Sequence, residues 1–259
     1  MGAGGHCPQN THRDLMRILG RPAGTPEMYY ANIPIKDRNG KRTFTMIPFL
    51  LPHEYFSQLH KERRAFFQEH IWGKDEERHE CWDVLGQQDF VKANPVLRGL
   101  PGYRDQAVPI GLHGDAGAMS KNKSVFVLTW NSLAGQGSTK QTRYVMSLIR
   151  KDFLLDDGST LDAIWEVLSW SLNSLASGKF PSENHVGAEL DSQRASLKGL
   201  FLADGLRGVT LQMRGDWQWY CQCLGFPQWN CALSMCWICK AGNRERLWSD
   251  FRQSAQWRG

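Results

Sequence analysis

The sequence predicts an α/β domain, a mixed sheet with helices on its flanks. Three observations carry that expectation. Four short runs, Ala107 to Leu112, Ser124 to Trp130, Thr142 to Leu148 and Val209 to Met213, read as strands, and Ser124 to Trp130, β-branched and aromatic, as a buried one. Between the third and fourth runs, Leu161, Ile164, Trp165, Leu168, Leu172 and Leu175 recur at helical spacing. The first and fourth runs each lead into a Gly-Asp step, Gly114-Asp115 and Gly215-Asp216, whose aspartates lie 101 residues apart.

In chain order, residues 1–105 read as a mostly helical and irregular N-terminal extension. Met1 to Gly40 is rich in Gly, Pro and Asn and is expected to be mostly irregular. A short extended piece is expected from Arg42 to Leu51. Pro52-His53-Glu54 opens a helix, with Pro at its first position and an early acid. Its apolar stripe is Tyr55, Leu59, Phe66 and Phe67, with Lys61, Arg63 and Arg64 toward water. A weaker helix spans about Lys74 to Lys92 and is interrupted in character by Gly86. Asn94-Pro95 and Leu100-Pro101-Gly102 break the chain and set a boundary.

Residues 106–225 form the expected core. Gly135 to Ser138 is a turn, and Tyr144, Met146 and Leu148 alternate against Arg143, Val145 and Ser147. Ser159-Thr160-Leu161-Asp162 resembles a capping box that starts the long helix, and Gly178 ends it. Ala188 to Ala203 is expected as a second helix. Trp217 to Leu224 reads as a helix start. Residues 226–259 are a Cys-rich segment and a charged tail.

Strand with Asp, strand, strand, helices, strand with Asp is the opening order of a ribonuclease-H-like mixed sheet. In that arrangement the first and last of these strands are parallel neighbours, joined by a helical crossover. Asp115 and Asp216 then lie close together at strand ends, where two carboxylates suit a hard divalent cation, Mg2+ or Mn2+. His113 shares the face of Asp115 by strand alternation. It reads either as an orienting group for the site or a phosphate, or as a structural strand-end histidine.

The formal net charge is +5, which only weakly favours an anionic partner. Its placement is uneven. From Ser120 to Lys151 there is no acid, but Lys121, Lys123, Lys140, Arg143, Arg150 and Lys151 are present. Such a strip beside a carboxylate site suits nucleic acid, and it also fits an ordinary solvated face. No apolar run is long enough to span a membrane, and no signal peptide is evident at Met1-Gly2-Ala3-Gly4, so an intracellular chain with reduced thiols is expected.

Five of the seven cysteines, Cys221, Cys223, Cys231, Cys236 and Cys239, lie within 19 residues. Cys236-Trp-Ile-Cys239 has the spacing of a tetrahedral zinc half-site, with Cys221 and Cys223 as further donors. The same cysteines also read as reduced, apolar core residues. Cys7 and Cys81 are isolated. Of the eleven tryptophans, Trp217, Trp219, Trp229 and Trp237 either pack in a core, the preferred reading, or stack on bases.

Pro109 to Gly117, Ser124 to Trp130 and Leu211-Gln-Met-Arg-Gly-Asp-Trp217 resemble the catalytic core of eukaryotic DDE-type DNA transposases of the Plavaka or CACTA-like kind. Pro48 to Glu54 resembles a stretch upstream of that core. The resemblance spans about residues 45–240 and rests on short motifs. It implies an endonuclease and strand-transfer activity on DNA, in the nucleus, with three carboxylates holding two Mg2+ or Mn2+ ions. Asp115 and Asp216 would be the first two acids. It also implies a zinc-binding insertion near the cysteine cluster. The family's third acid has no clear counterpart here. Glu245 and Asp250, in a charged tail, are the acids that remain, so a truncated or inactive copy is expected. Alternatives are a non-catalytic nucleic-acid-binding or zinc-binding module and a decayed mobile-element remnant. Homo-oligomerisation is left open.

Overall fold

The computed structural model describes residues 24–120, 123–228, 249–250 and 252–255. Six strands form one open, mixed sheet: β1 (Tyr29–Lys36), β2 (Arg42–Phe49), β3 (Ala107–Ser120), β4 (Lys123–Ser132), β5 (Tyr144–Arg150) and β6 (Arg207–Arg214). Their spatial order is β1-β2-β5-β4-β3-β6. All neighbours are antiparallel except β3 and β6, which run parallel. Four described helices exceed two turns: α1 (Pro52–Glu62), α2 (Asp75–Leu85), α3 (Ser159–Ser177) and α4 (Trp217–Leu224).

The pleat sorts side chains between two faces. On β3, Val108, Ile110 and Leu112 point to one face with Phe126, Leu128 and Trp130 of β4. There they meet Ile164, Val167, Leu168 and Leu175 of α3 and Phe56 and Leu59 of α1 in one core. Burying side chains of this size stabilises by roughly 1.5–3 kcal/mol each before entropy is counted. On the other face the described residues form a second, smaller cluster. There the indole of Trp82 on α2, wholly buried, packs with Ala107, Val209, Val91, Leu97 and Leu100.

Several expectations need correction. Met1 to Gly40 is not irregular throughout, because Tyr29–Lys36 pairs along its whole length with β2. Alternating buried Tyr29, Ala31, Ile33 and Ile35 are the strand signal, obscured in sequence by Pro34 and the adjacent Asn and Gly residues. Pro34 is tolerated because β1 is an edge strand. α1 stops at Glu62, where Arg63 leaves helical geometry, so Phe66 and Phe67 belong to the separate turn Arg64–Phe67.

The expected helix from Lys74 to Lys92 is α2 plus the turn Asp89–Lys92, parted at Gly86. The third core strand starts later than expected, because Thr139–Thr142 forms a helical turn with a capping box between Ser138 and Gln141. The capping box expected at Ser159 is absent. The N-cap of α3 is Gly158, and the Ser159 hydroxyl instead donates to Asp157 Oδ1 at 2.6 Å. Gly178 does cap the C-terminus of α3, in the left-handed region.

Of the helix expected from Ala188 to Ala203, only Ser192–Ala195 is helical. Asp191 caps that turn, and Arg194 is drawn inward to Glu54 of α1, with Nε and Nη2 donating to its two oxygens at 2.5 and 3.0 Å. Leu200 and Phe201, read as an apolar helix face, are 54% and 66% exposed.

Candidate functional site

The β3–β6 seam begins at Ala107 opposite Arg207 and ends at His113 opposite Arg214, with one bulge between Ile110 and Gly111. Register partners in a parallel pair share a face. His113 and Arg214 therefore project from the same side, and the register ends with them; Gly114-Asp115 continues β3, while Gly215-Asp216 leaves β6. β6 ends at Arg214, and the chain turns through Gly215 into α4, whose N-cap is Asp216.

Both glycines before the aspartates have a packing role. A Cβ built on Gly114 would stand 1.6 Å from Trp219 Nε1, and one built on Gly215 would stand 2.6 Å from Trp219 Cε3 and 2.9 Å from the Gly114 carbonyl oxygen. The Trp219 indole, 2% exposed, lies across both. Gly-Asp here means a backbone thinned to admit an indole, followed by an aspartate directed elsewhere. Trp219 is a core residue, as the preferred reading had it, while Trp217 is 37% exposed. Trp229 and Trp237 lie outside the described residues.

Asp115 is not at a strand end. β3 continues to Ser120, with Asp115 opposite Val127 and Gly117 opposite Val125. The Gly-Ala run after Asp115 reads as a turn in isolation, but pairing with the β-branched start of β4 extends it. Asp115 is exposed, and its Oδ1 accepts from the Ala116 amide at 2.6 Å. Asp216 is exposed as well, and its Oδ1 accepts from the Trp219 amide at 2.6 Å. The second oxygen of each carboxylate receives no hydrogen bond from a described residue. That leaves one oxygen per aspartate for a cation that takes few protein ligands and keeps water and phosphate as the rest, as Mg2+ does.

Around the aspartates stand cationic and polar groups. His113 is half-buried, with Nδ1 3.4 Å from Arg143 Nη1. Burial, and next the Arg143 guanidinium, hold its imidazole below the usual range, against the opposite pull of Asp115. Arg214 donates through Nη2 to Asn131 Oδ1 on β4 at 2.8 Å, and the same nitrogen lies 3.0 Å from where a Gly111 Cβ would be. Arg214 and Asn131 were not singled out from the sequence. The one signal for Arg214 was its place directly before Gly215-Asp216.

The basic strip divides. Lys123, Lys140 and Arg143 are exposed. Arg150 is engaged, with Nε donating to Asp152 Oδ1 at 2.9 Å and the guanidinium 4.5 Å over the Phe153 ring. Lys151 is half-buried, and Lys121 lies outside the described residues. Of the two acids considered for a third position, Asp250 accepts from Arg252 at 2.8 Å, and Glu245 lies outside the described residues.

Cys221 and Cys223 sit in α4, where residues two apart point about 200° apart around the axis. Their thiols accordingly diverge. Cys221 Sγ donates to the Pro227 carbonyl at 3.5 Å, and burial pushes the Cys223 thiol up to about 12. Cys7, Cys231, Cys236 and Cys239 lie outside the described residues. Among the described residues, no group of three or more His, Cys, Asp or Glu side chains is placed to hold a metal ion, and no helix is long and apolar enough to cross a membrane.

Comparison of the chain with protein-family models, with curated proteins and with solved structures found no match.

Proposed function

We propose that this chain is a DNA phosphoryl-transfer core of ribonuclease-H-like, DDE-transposase type, in which Asp115 and Asp216 jointly engage Mg2+ or Mn2+. The observation that carries this reading is the parallel β3–β6 pairing, with His113 opposite Arg214 two residues before the two aspartates. Asp115 lies on β3 two residues past the last pair of this seam, and Asp216 caps α4 two residues past the end of β6, a placement that suits shared cation binding. The strand order β5-β4-β3-β6, with β3 between antiparallel β4 and parallel β6 and α3 in the crossover from β5 to β6, supports the same reading.

The bound cation would polarise a phosphodiester and ease departure of its leaving oxygen. The chain's own groups have separate tasks. Asp115 and Asp216 each offer one carboxylate oxygen. Arg143 and Arg214 face developing phosphate charge from two sides, and the Asn131 hydrogen bond keeps Arg214 from folding back on Asp216. His113, held neutral, is positioned through Arg143 and orients rather than neutralises. Two acids make a minimal site, so slow turnover is expected. The test is nicking of supercoiled plasmid by purified protein with Mn2+. Nicking that requires Mn2+ and disappears in Asp115→Asn supports the reading, and intact folding with no nicking under any divalent cation counts against it.

A further inference from the structure

An open cavity of about 530 Å3 lies between α1 and the turn Ala203–Gly205. That turn leads into the start of β6, the opposite end of the strand from Asp216. The volume is within the range of small-molecule sites. Ser57, His60 and Lys61 of α1 line it, with Arg64 just beyond the helix, Phe201, and Asp204 as its one acid.

His60 is the buried member, 6% exposed. Arg64 Nη1 lies 3.2 Å from its Nδ1 and also against its Nε2. A neutral imidazole carries one N–H, and a guanidinium offers it donors only. Asp204 Oδ2 stands 3.7 Å from Nε2, too far to accept a hydrogen bond. The ring N–H therefore meets no acceptor among the described residues. A buried donor without an acceptor is costly, and an anion oxygen in the cavity would supply one.

The cations beside His60 are weakly balanced. Arg64 Nη1 reaches Asp204 Oδ2 at 3.4 Å, a pair between two exposed side chains and therefore of small worth. Lys61 is exposed and makes no ion pair among the described residues. A carboxylate would match one of these two charges, whereas a phosphate monoester, close to doubly charged at neutral pH, matches both. Phe201 is 66% exposed, with Lys179 Nζ 5.2 Å over its ring. One ring face thus carries a third cation, and the other is left for a flat group. Ala203 and Asp204, neither of them glycine, are held at φ of 43° and 59°, and strain of this kind gathers at ligand sites.

We infer that this cavity binds a phosphate monoester that carries an aromatic ring, a nucleoside monophosphate in kind. The phosphate oxygens accept from Lys61, Arg64 and the His60 N–H, and the ring stacks on Phe201. The site shares no residue with the Asp115 and Asp216 pair and needs no metal, so it stands if those aspartates prove inert.

The experiment is isothermal titration calorimetry of the full chain with AMP, with adenosine and with inorganic phosphate, in EDTA so that divalent cations contribute nothing. The expected result is saturable one-to-one binding of AMP, at least about fivefold tighter than either part alone. Arg64→Gln and Lys61→Gln should each weaken AMP about tenfold, and Phe201→Ala about fivefold. Asp204→Asn should tighten it roughly twofold by removing the competing acid. Arg63→Gln is the control. Arg63 is exposed, lies outside the cavity with its guanidinium 5.1 Å over the Phe66 ring, and its loss should leave the affinity unchanged. The five substituted side chains are exposed, and circular dichroism checks that each variant folds. No saturable AMP binding, equal binding of adenosine or of phosphate, or an equal loss in Arg63→Gln and Arg64→Gln overturns the proposal.

Discussion

The indole of Trp219 occupies the space that a Cβ on Gly114 would need, with its Nε1 1.6 Å from that position. This relationship ties α4, and with it Asp216, to the strand that carries Asp115. Gly114→Ala should therefore displace Trp219 and destabilise the fold by roughly 2–4 kcal/mol, as overpacking of a rigid core does. Urea denaturation followed by tryptophan fluorescence measures it. A loss below about 0.5 kcal/mol would show that α4 shifts freely and that the seam does not fix Asp216.

Asp216 has two roles that substitution separates. Its Oδ1 caps α4 through the Trp219 amide. Asp216→Ala should cost about 1 kcal/mol through the lost cap, whereas Asp216→Asn, also a good cap, should cost a few tenths. Thermal melts of the two variants distinguish cap from charge. Equal losses would mean that the cap contributes nothing.

His53 is buried, with Nδ1 2.8 Å from Ser171 Oγ, and burial, then Arg194, lowers its pKa from 6.5 to about 3. Above pH 6.5 it is neutral folded and unfolded, and contributes no pH dependence. Between 6.5 and about 3 the unfolded chain takes up a proton that the folded chain refuses, so stability falls as pH falls. From pH 7 to 5 the wild type should lose about 2 kcal/mol more than His53→Gln. Urea titrations at the two pH values check the difference, and parallel losses in the two proteins would contradict it.

Arg194 links three parts of the chain. It donates to Glu54, and through Nη1 to Asp191 at 2.8 Å, and lies 5.2 Å over the Tyr29 ring. The Arg194 and Glu54 side chains are 13% and 11% exposed. Arg194→Met should cost about 3–5 kcal/mol, because Glu54 is left buried without its partner. Arg194→Met combined with Glu54→Leu should recover much of that loss. A double variant no more stable than the single one would refute the pairing as the cause.

Ala203 and Asp204 have φ of 43° and 59°, in a tight turn closed by Gly205 N donating to the Leu202 carbonyl. Left-handed geometry costs a non-glycine residue about 1–2 kcal/mol. Ala203→Gly should thus raise stability by roughly 0.5–1 kcal/mol despite its flexible unfolded chain. A lowered melting temperature would mean that the Ala203 methyl, 5% exposed, packs for more than the strain costs.

The core strands and α3 were legible in the sequence because their signals are local: β-branched runs, helical spacing, and Gly178 as a stop. What sequence left hidden depends on distant partners. Tyr29–Lys36 became a strand by pairing with β2 despite Pro34, and Ala188–Ala203 is helical only over Ser192–Ala195, with Gly199 beyond it in the left-handed region. At the candidate site, Asp115 and Asp216 were found by their Gly-Asp steps, yet the glycines answer to Trp219 rather than to chemistry. Arg214 and Asn131 were missed because a strand arginine and a strand asparagine carry no motif until register joins them.

The joint use of Asp115 and Asp216 is tested most directly by Mn2+ binding, read by electron paramagnetic resonance on the full chain with Asp115→Asn and Asp216→Asn beside the wild type. Asparagine keeps the shape of each side chain and the cap on α4 while removing one charge. The account predicts a bound Mn2+ in the wild type whose affinity falls at least tenfold in either variant. Wild-type protein that binds no Mn2+, or binding that survives both substitutions, would contradict it.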